Sequence, residues 1–225
     1  MKTQIENSPE IICELSSSNK STSNSDESGN LRILLELGNI GAGHATTSLS
    51  DVIQQQVQIE VPKIHKIPPT ALNERYKSQE YLSKTVVYMT LNNSECDILL
   101  LFNLAESKKN AAIMTMAPPV EELDPSIEEE AIQELAKTII GPFLSAISDF
   151  TGVQLMPKTP QRVVDTLGVI MDNLVVREAM LFEEALIFDI HFKRIDEDAS
   201  LMLMLFPSPK LLGILKQKSK EQAGL

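Results

Sequence analysis

Apolar and polar positions between residues 31 and 55 follow the period of an α-helix. The apolar positions recur at helical spacing and comprise Ile33, Leu34, Leu37, Ile40 and Leu49. A second series advances by alternating steps of three and four residues, and it comprises Glu36, Asn39, Gly43, Thr46 and Ser50. The pattern predicts one helix with an apolar face to bury and a separate face of polar and small residues.

Three glycines interrupt this predicted helix, at positions 38, 41 and 43. Each glycine weakens a helix by about 1 kcal/mol relative to alanine, so their presence indicates close approach of another backbone. A dinucleotide-binding loop is excluded, because the glycines have the wrong order for it and follow a helical pattern rather than a strand.

Further elements follow along the chain. Residues 85–91 and 97–102 are predicted to form a hairpin across Asn92-Asn93, and residues 105–116 a helix. The second half is predicted to contain a long helix over 126–150, strands over 185–194 and 200–206, a final helix over 209–216, and an extra helix around 163–173.

The second half repeats the first at an offset of 98 residues. Gly43 then matches Gly141, Ser50-Asp51 matches Ser148-Asp149, and Pro62 matches Pro160. Such coincidences indicate a duplication. We therefore predict an α/β fold built as a duplicated pseudo-two-fold unit, with two long equivalent helices packed on a central, mainly antiparallel sheet. The repeats are placed at 31–120 and 125–217, within one domain spanning 31–217.

The two ends of the chain are predicted to lie outside this domain. Residues 16–30 are too polar to offset the entropy of ordering by burial, so residues 1–30 are predicted to be a disordered tail, and residues 218–225 a second tail. Apolar residues nearer the start leave two interpretations open, a peptide that docks on a partner or a plain tail; they are Ile5, Ile11, Ile12 and Leu15.

Composition narrows the classes of function. The 225 residues carry a formal net charge of −11, which argues against nucleic acid or an anionic membrane as the main partner. Cys13 and Cys96 match no metal motif, no signal peptide is evident, and the longest apolar run, residues 201–206, is too short to span a bilayer. A cytoplasmic protein is expected. His44, His65 and His191 are scattered along the chain, and no grouping of residues predicts a metal site.

The series Glu36-Leu-Gly-Asn39-Ile-Gly-Ala-Gly, with Pro62 standing 23 residues after the asparagine, resembles the CheC/CheX/FliY family of chemotaxis phosphatases. The resemblance covers about residues 31–216. The family signature also has an acidic or hydroxyl residue four positions before the glutamate, where this chain has Arg32. Arg32 is one helical turn from Glu36 and is expected to pair with it.

The resemblance implies that the substrate is the aspartyl phosphate of a CheY-type response regulator. Asn39 would hold the attacking water, Glu36 would pair with the regulator's lysine, and Gly43 would admit the partner's backbone. No cofactor is implied for this chain, because the catalytic magnesium ion belongs to the regulator.

The second copy reads Glu134, Lys137 and Pro160, so a lysine replaces the asparagine. Lysine cannot accept a hydrogen bond from water, and this copy is predicted to be inactive. Asp149 is either a contact for the CheD deamidase, which the resemblance implies as a second partner, or a generic surface carboxylate. A non-enzymatic scaffold for the regulator or CheD remains the alternative function.

Overall fold

The computed structural model describes residues 24–60, 62–76, 82–91, 97–117, 123–181, 185–194 and 200–223. Within α1, the side chains of residues 24–34, Arg32 among them, lie outside this description. The N-terminal apolar residues, both cysteines and the predicted Asn92-Asn93 turn also lie outside the described residues.

The described elements alternate between helices and strands. They are α1 (Asn24–Ile53), β1 (Val57–Ile59), β2 (Lys63–Ile67), α2 (Ala71–Tyr76), β3 (Ser83–Thr90), β4 (Asp97–Asn103), α3 (Leu104–Thr115), α4 (Pro125–Thr151), β5 (Gln161–Thr166), α5 (Leu167–Leu181), β6 (Ala185–Arg194), β7 (Ser200–Phe206) and α6 (Pro209–Ala223). The predicted pairing of residues 85–91 with 97–102 is confirmed, and the strands predicted over 185–194 and 200–206 are present and pair with each other.

One seven-stranded sheet has the order β1-β6-β7-β4-β3-β5, with β2 also paired to β6. Every described pairing is antiparallel. If the path is started from β2, it runs β2-β6-β7-β4-β3-β5. Exchanging β2, β3 and β4 with β5, β6 and β7, respectively, gives the same path in reverse, which is a pseudo-two-fold arrangement of the strands. The pairing of β1 with β6 in one half corresponds to a single bridge between Leu91 and Pro157 in the other half.

Helices cover both faces of this sheet. The first apolar cluster joins α1 and α4 to alternate residues of the central strands, for example Leu100 and Leu203. The second cluster joins α2 and α5 to the opposite face, including Leu99 and Met204. Residues 97–102 of β4 are therefore all buried. The prediction placed the two long helices on the sheet correctly but did not anticipate the second helical layer.

Several predicted boundaries are wrong. Helix α1 begins at Asn24, so residues 24–30 are helical rather than disordered, and α6 continues through residues 218–223, which were assigned to a tail. These polar segments have little apolar surface to bury, which is why they were assigned to tails. A helix that is already nucleated nevertheless gains a hydrogen bond with each added residue, so it can continue into a polar segment. In α6 the added turn carries an ion pair of 2.9 Å between Lys218 and Glu221.

The helix predicted around 163–173 is instead a strand followed by a helix. Residues 161–166 form β5, which pairs with β3, and α5 begins only at Leu167. The adjacent Val163 and Val164 favour a strand, and the partner that β5 needs lies about 80 residues away in the sequence.

Candidate functional site

The polar and small face of α1 is held outward by the residues between its members. Glu36 and Asn39 are exposed, whereas Leu37 and Gly38 are buried. Further along the helix Ala42, Ala45 and Leu49 are also buried, which sets the rotation of α1 about its axis. Among the residues with described side chains, none forms a hydrogen bond or ion pair with Glu36 or Asn39. Because both side chains are exposed, the carboxylate and the amide are accessible from solvent.

Pro62 packs against the helix between these two residues. It is buried immediately before β2, and a Cβ built on Gly38 would lie 3.6 Å from the Pro62 Cβ and 3.5 Å from Cδ1 of Phe188. These are ordinary van der Waals distances. The proline therefore positions the turn of α1 that presents Glu36 and Asn39, which is a physical reason for its spacing from Asn39.

The three glycines of α1 have different surroundings. At Gly41 an added Cβ would lie 2.7 Å from the ring and 3.2 Å from the carbonyl oxygen of Phe143 on α4, so the predicted close approach of a backbone is confirmed there. At Gly43 nothing lies within 4 Å of the added atom. Gly43 therefore leaves open space above the exposed face of α1.

The structure corrects the assignment of Ile40 to the buried face, because 47% of this residue is exposed. Ile40 and His44 line a groove between the two long helices, together with residues of α4 that include Ser145 and Asp149. The close packing of α1 on α4 at Gly41 brings Asp149 near the helix that carries Glu36 and Asn39, although Asp149 lies 110 residues after Asn39 in the sequence.

The second copy keeps the geometry of the first with different chemistry. Pro160 is buried like Pro62, and nothing lies within 4 Å of a Cβ built on Gly141, as at Gly43. Glu134 and Lys137 are exposed and form an ion pair of 2.5 Å. Where the first copy presents a carboxylate and an amide, the second presents a carboxylate whose charge is balanced by an ammonium group.

Both long helices also end in the same way. The backbone N–H of Val57 donates to Oγ of Ser50 at 3.2 Å, and that of Leu155 donates to Oγ of Ser148 at 3.2 Å. Each helix is followed by a residue with positive φ, Gln54 at 54° and Gly152 at 69°. All of these pairs are separated by 98 residues, so the equivalence of the two helices extends to single hydrogen bonds.

A buried polar cluster on the other face of the sheet was missed from the sequence. Asp189 lies with its Oδ1 2.9 Å from Nε2 of His191 and its Oδ2 3.5 Å from Nε2 of His65. The Tyr76 hydroxyl donates to Oδ2 of Asp189 at 3.3 Å. Two histidines that are scattered in sequence therefore converge, because β2 and β6 are neighbours in the sheet. The alternation of polar residues at 189, 191 and 193 with apolar ones in β6 was the available signal.

The electrostatics of this cluster follow from burial and hydrogen bonding. Burial raises the pKa of the Asp189 carboxyl, but the contacts with His191 and His65 outweigh it and hold that pKa well below its usual value. Burial, followed by the negative charge of Asp189, raises the pKa of Tyr76. The cluster thus holds one ionised carboxylate. Across the described residues, no group of three or more histidine, cysteine, aspartate or glutamate side chains is arranged to hold a metal ion.

Comparisons with known proteins agree with the fold and with the helix that carries the site. A profile of the CheC-like family matches residues 33–65, which include Glu36, Asn39 and Pro62. The "CheY-P phosphatase CheC" of Bacillus subtilis (strain 168) is 21% identical over 160 residues, covering 70% of this chain and 77% of that protein.

Two solved structures show how far the fold is shared. FliY of Thermotoga maritima superposes with a TM-score of 0.63 at 17% identity, covering 86% of this chain and 96% of that chain. A chain of the FliG-FliM complex from H. pylori superposes with a TM-score of 0.58 at 10% identity, covering 82% of this chain and 97% of that chain. Among the helices that the structure describes, none is long and apolar enough to cross a membrane. In its Glu–Asn helix the chain is therefore similar to CheC-like proteins, and in its fold it is similar to FliY of Thermotoga maritima.

Proposed function

We propose that this protein is a phosphatase that hydrolyses the aspartyl phosphate of a CheY-type response regulator in chemotaxis signalling. The observation that carries the proposal is the exposed pair Glu36 and Asn39, held outward on α1 beside the open space at Gly43. The similarity to a protein described as a CheY-P phosphatase supports the same conclusion.

Asn39 suits the chemistry because an acyl phosphate is already reactive. The catalyst needs to hold a water in line with the leaving carboxylate rather than to form a covalent intermediate. A carboxamide can accept a hydrogen bond from that water and donate one to a phosphoryl oxygen at the same time. Asn39 would therefore orient the nucleophile, while the phosphoryl group stays on the regulator until water displaces it as inorganic phosphate.

Glu36 would set the register of the two proteins. Its carboxylate lies one helical turn from Asn39 and would pair with a lysine of the regulator. Gly43, one turn beyond Asn39, would let the regulator's backbone approach α1. The magnesium ion would belong to the regulator, so we propose no cofactor for this chain.

Phosphate release from a CheY-type receiver domain tests the proposal. The receiver is phosphorylated with acetyl phosphate, separated from it, and followed with and without the full chain. We expect the chain to accelerate release of inorganic phosphate. Asn39→Ala should abolish the acceleration, since water positioning is lost, while thermal unfolding and receiver binding stay close to those of the parent protein.

Loss of an exposed amide elsewhere in the chain serves as the control. Asn173→Ala removes an exposed asparagine side chain on α5, across the sheet from α1, and it should leave the rate of phosphate release close to that of the parent. An Asn39→Ala protein that still releases phosphate at the parental rate would show that Asn39 is not catalytic.

The second candidate function is binding without hydrolysis, as a scaffold for the regulator or for CheD. The observation that favours a scaffold is Lys137. It occupies the position equivalent to Asn39, so the second copy lacks the amide that the first copy has. A pull-down of phosphorylated receiver and of CheD, run beside the release assay, separates the candidates. Binding of either protein with no acceleration of phosphate release would favour the scaffold, and Asp149→Ala tests whether a CheD contact lies on α4.

A further inference from the structure

The outer surface of α4 repeats the surface that surrounds Glu36 and Asn39 on α1. Glu134 is exposed at the place of Glu36, Pro160 is buried at the place of Pro62, and the space above Gly141 is open as it is above Gly43. The features that would let a partner's backbone approach α1 are therefore all present on α4. Only the group that would reach the partner's phosphoryl group differs, because Lys137 replaces the amide.

The ion pair between Lys137 and Glu134 does not close this surface. The side chains remain 47% and 61% exposed, and an exposed pair of this kind is worth only about 0–1 kcal/mol. A partner that offers a lysine to Glu134 and a phosphoryl oxygen to Lys137 would replace one weak contact with two charge-assisted ones. The pair can therefore open when a complementary surface arrives.

The chemistry of lysine separates binding from hydrolysis. An ammonium group has three N–H donors and no acceptor, so it can bind phosphoryl oxygens but cannot hold a water by accepting its hydrogen. At the position of Asn39 such a group would attract the phosphorylated aspartate without supplying an oriented nucleophile. The bound aspartyl phosphate would therefore be hydrolysed no faster than in the free receiver.

We propose that the α4 face, formed by Glu134, Lys137 and Gly141, is a second docking face for the same phosphorylated receiver domain, which it holds without hydrolysing it. The proposal rests on the proposed function of the α1 face, whose partner it shares. The chain then has one face that removes the phosphoryl group and one that retains it. Lys137 is the residue that distinguishes them.

The test begins from a variant in which the α1 face is blocked. A Cβ added at Gly43 meets nothing within 4 Å, so Gly43→Gln should obstruct a partner without overpacking at the Cβ, and glutamine is a better helix former than glycine. Binding is measured by titration with receiver carrying the phosphoryl analogue beryllofluoride. We expect Gly43→Gln to lose phosphate release but to keep binding that depends on the analogue.

Second substitutions in that background locate the remaining binding. Gly141→Gln should abolish it, and Lys137→Ala should weaken it at least tenfold. Gly213→Gln is the matched control on α6, where an added Cβ also meets nothing within 4 Å, and it should change nothing. Lys137→Asn should convert the face, so that the Gly43→Gln, Lys137→Asn protein again releases phosphate from the receiver.

The possible results separate this proposal from the proposed function. If the parent protein does not accelerate phosphate release, the proposed function fails. If the parent is active but Gly43→Gln has no binding that depends on beryllofluoride, the α4 face is not a docking face and the present proposal is overturned. Residual binding that Gly141→Gln and Lys137→Ala leave unchanged would overturn it as well.

Discussion

At the scale of single residues, neighbouring positions of α1 differ in their surroundings, and equivalent positions of α1 and α4 differ in their chemistry. Gly41 and Gly43 are two residues apart on α1, yet one lies against α4 and the other faces open space. Asn39 and Lys137 occupy equivalent positions, and only the asparagine can both donate and accept hydrogen bonds. Single side chains, rather than differences of fold, separate the two surfaces.

The two glycines make opposite predictions for the same substitution. A Cβ at Gly41 would lie 2.7 Å from the buried Phe143 ring, which the surrounding core prevents from moving away. Overpacking of this kind costs about 1–3 kcal/mol, which outweighs the gain of about 1 kcal/mol in helix propensity. We therefore expect Gly41→Ala to lower the free energy of unfolding and Gly43→Ala to raise it, as measured by urea denaturation. Equal effects of the two variants would show that α1 and α4 are not tightly packed at Phe143.

At the scale of elements, the ends of the long helices show how far a pattern in the sequence extends. The structure confirms that the predicted helices over 31–55 and 126–150 exist, as α1 and α4. The caps at their C-terminal ends were not predicted. The residue after each helix adopts positive φ, and because one of these residues is Gly152 and the other is Gln54, the residue type alone does not mark the position. Closure of the helix end requires this conformation, and glycine adopts it at much lower cost than other residues.

The cap of α1 can therefore be improved by copying the cap of α4. A residue with a Cβ in the left-handed region is strained by about 1–2 kcal/mol. Gln54→Gly should relieve that strain and raise the free energy of unfolding by about 1 kcal/mol, after the loss of the hydrogen bond from its side chain to the Asp51 carbonyl. Gly152→Ala should lower it by a similar amount. Calorimetric melting of both variants checks the pair, and a loss of stability in Gln54→Gly would contradict the equivalence of the two caps.

At the scale of the whole molecule, the sheet connects the proposed site to a buried charge. Phe188 of β6 packs near Gly38 on one face of the sheet, while the next residue, Asp189, points to the opposite face and meets His191 and His65. The α1 helix and the polar cluster thus rest on the same strand. The stability of the molecule should depend on the ionisation of this carboxylate.

Acid unfolding tests the dependence. The pKa of Asp189 is lower in the folded protein than its ordinary value of 3.8, so the unfolded state takes up a proton first. The carboxylate therefore contributes stability that is fully present above about pH 4–5 and is lost as the pH falls further. Asp189→Asn should be less stable than the parent at pH 7, and the difference should shrink toward pH 3 in urea titrations. A difference that is constant with pH would show that the charge of Asp189 does not stabilise the fold.

The sequence by itself was sufficient for the α/β architecture, with two long helices on an antiparallel sheet, and for the helix carrying Glu36 and Asn39. Helical periodicity and the offset of 98 residues are local or internally repeated signals, and they depend on side-chain pattern rather than on distant partners. The structure agrees on the existence of both long helices, the β3–β4 hairpin and the β6–β7 pair. The catalytic roles of Glu36 and Asn39 remain predictions.

Only the tertiary structure decided which residues meet across the chain. Strand β5, the exposure of Ile40, the contact of Pro62 with α1 and the convergence of His65 and His191 on Asp189 all depend on partners far away in the sequence. A periodic pattern marks a residue as apolar or polar, but burial and pairing are settled by the neighbour that folding brings to it. The open space above Gly43 and Gly141, on which both proposed docking faces depend, is likewise a property of the packed molecule.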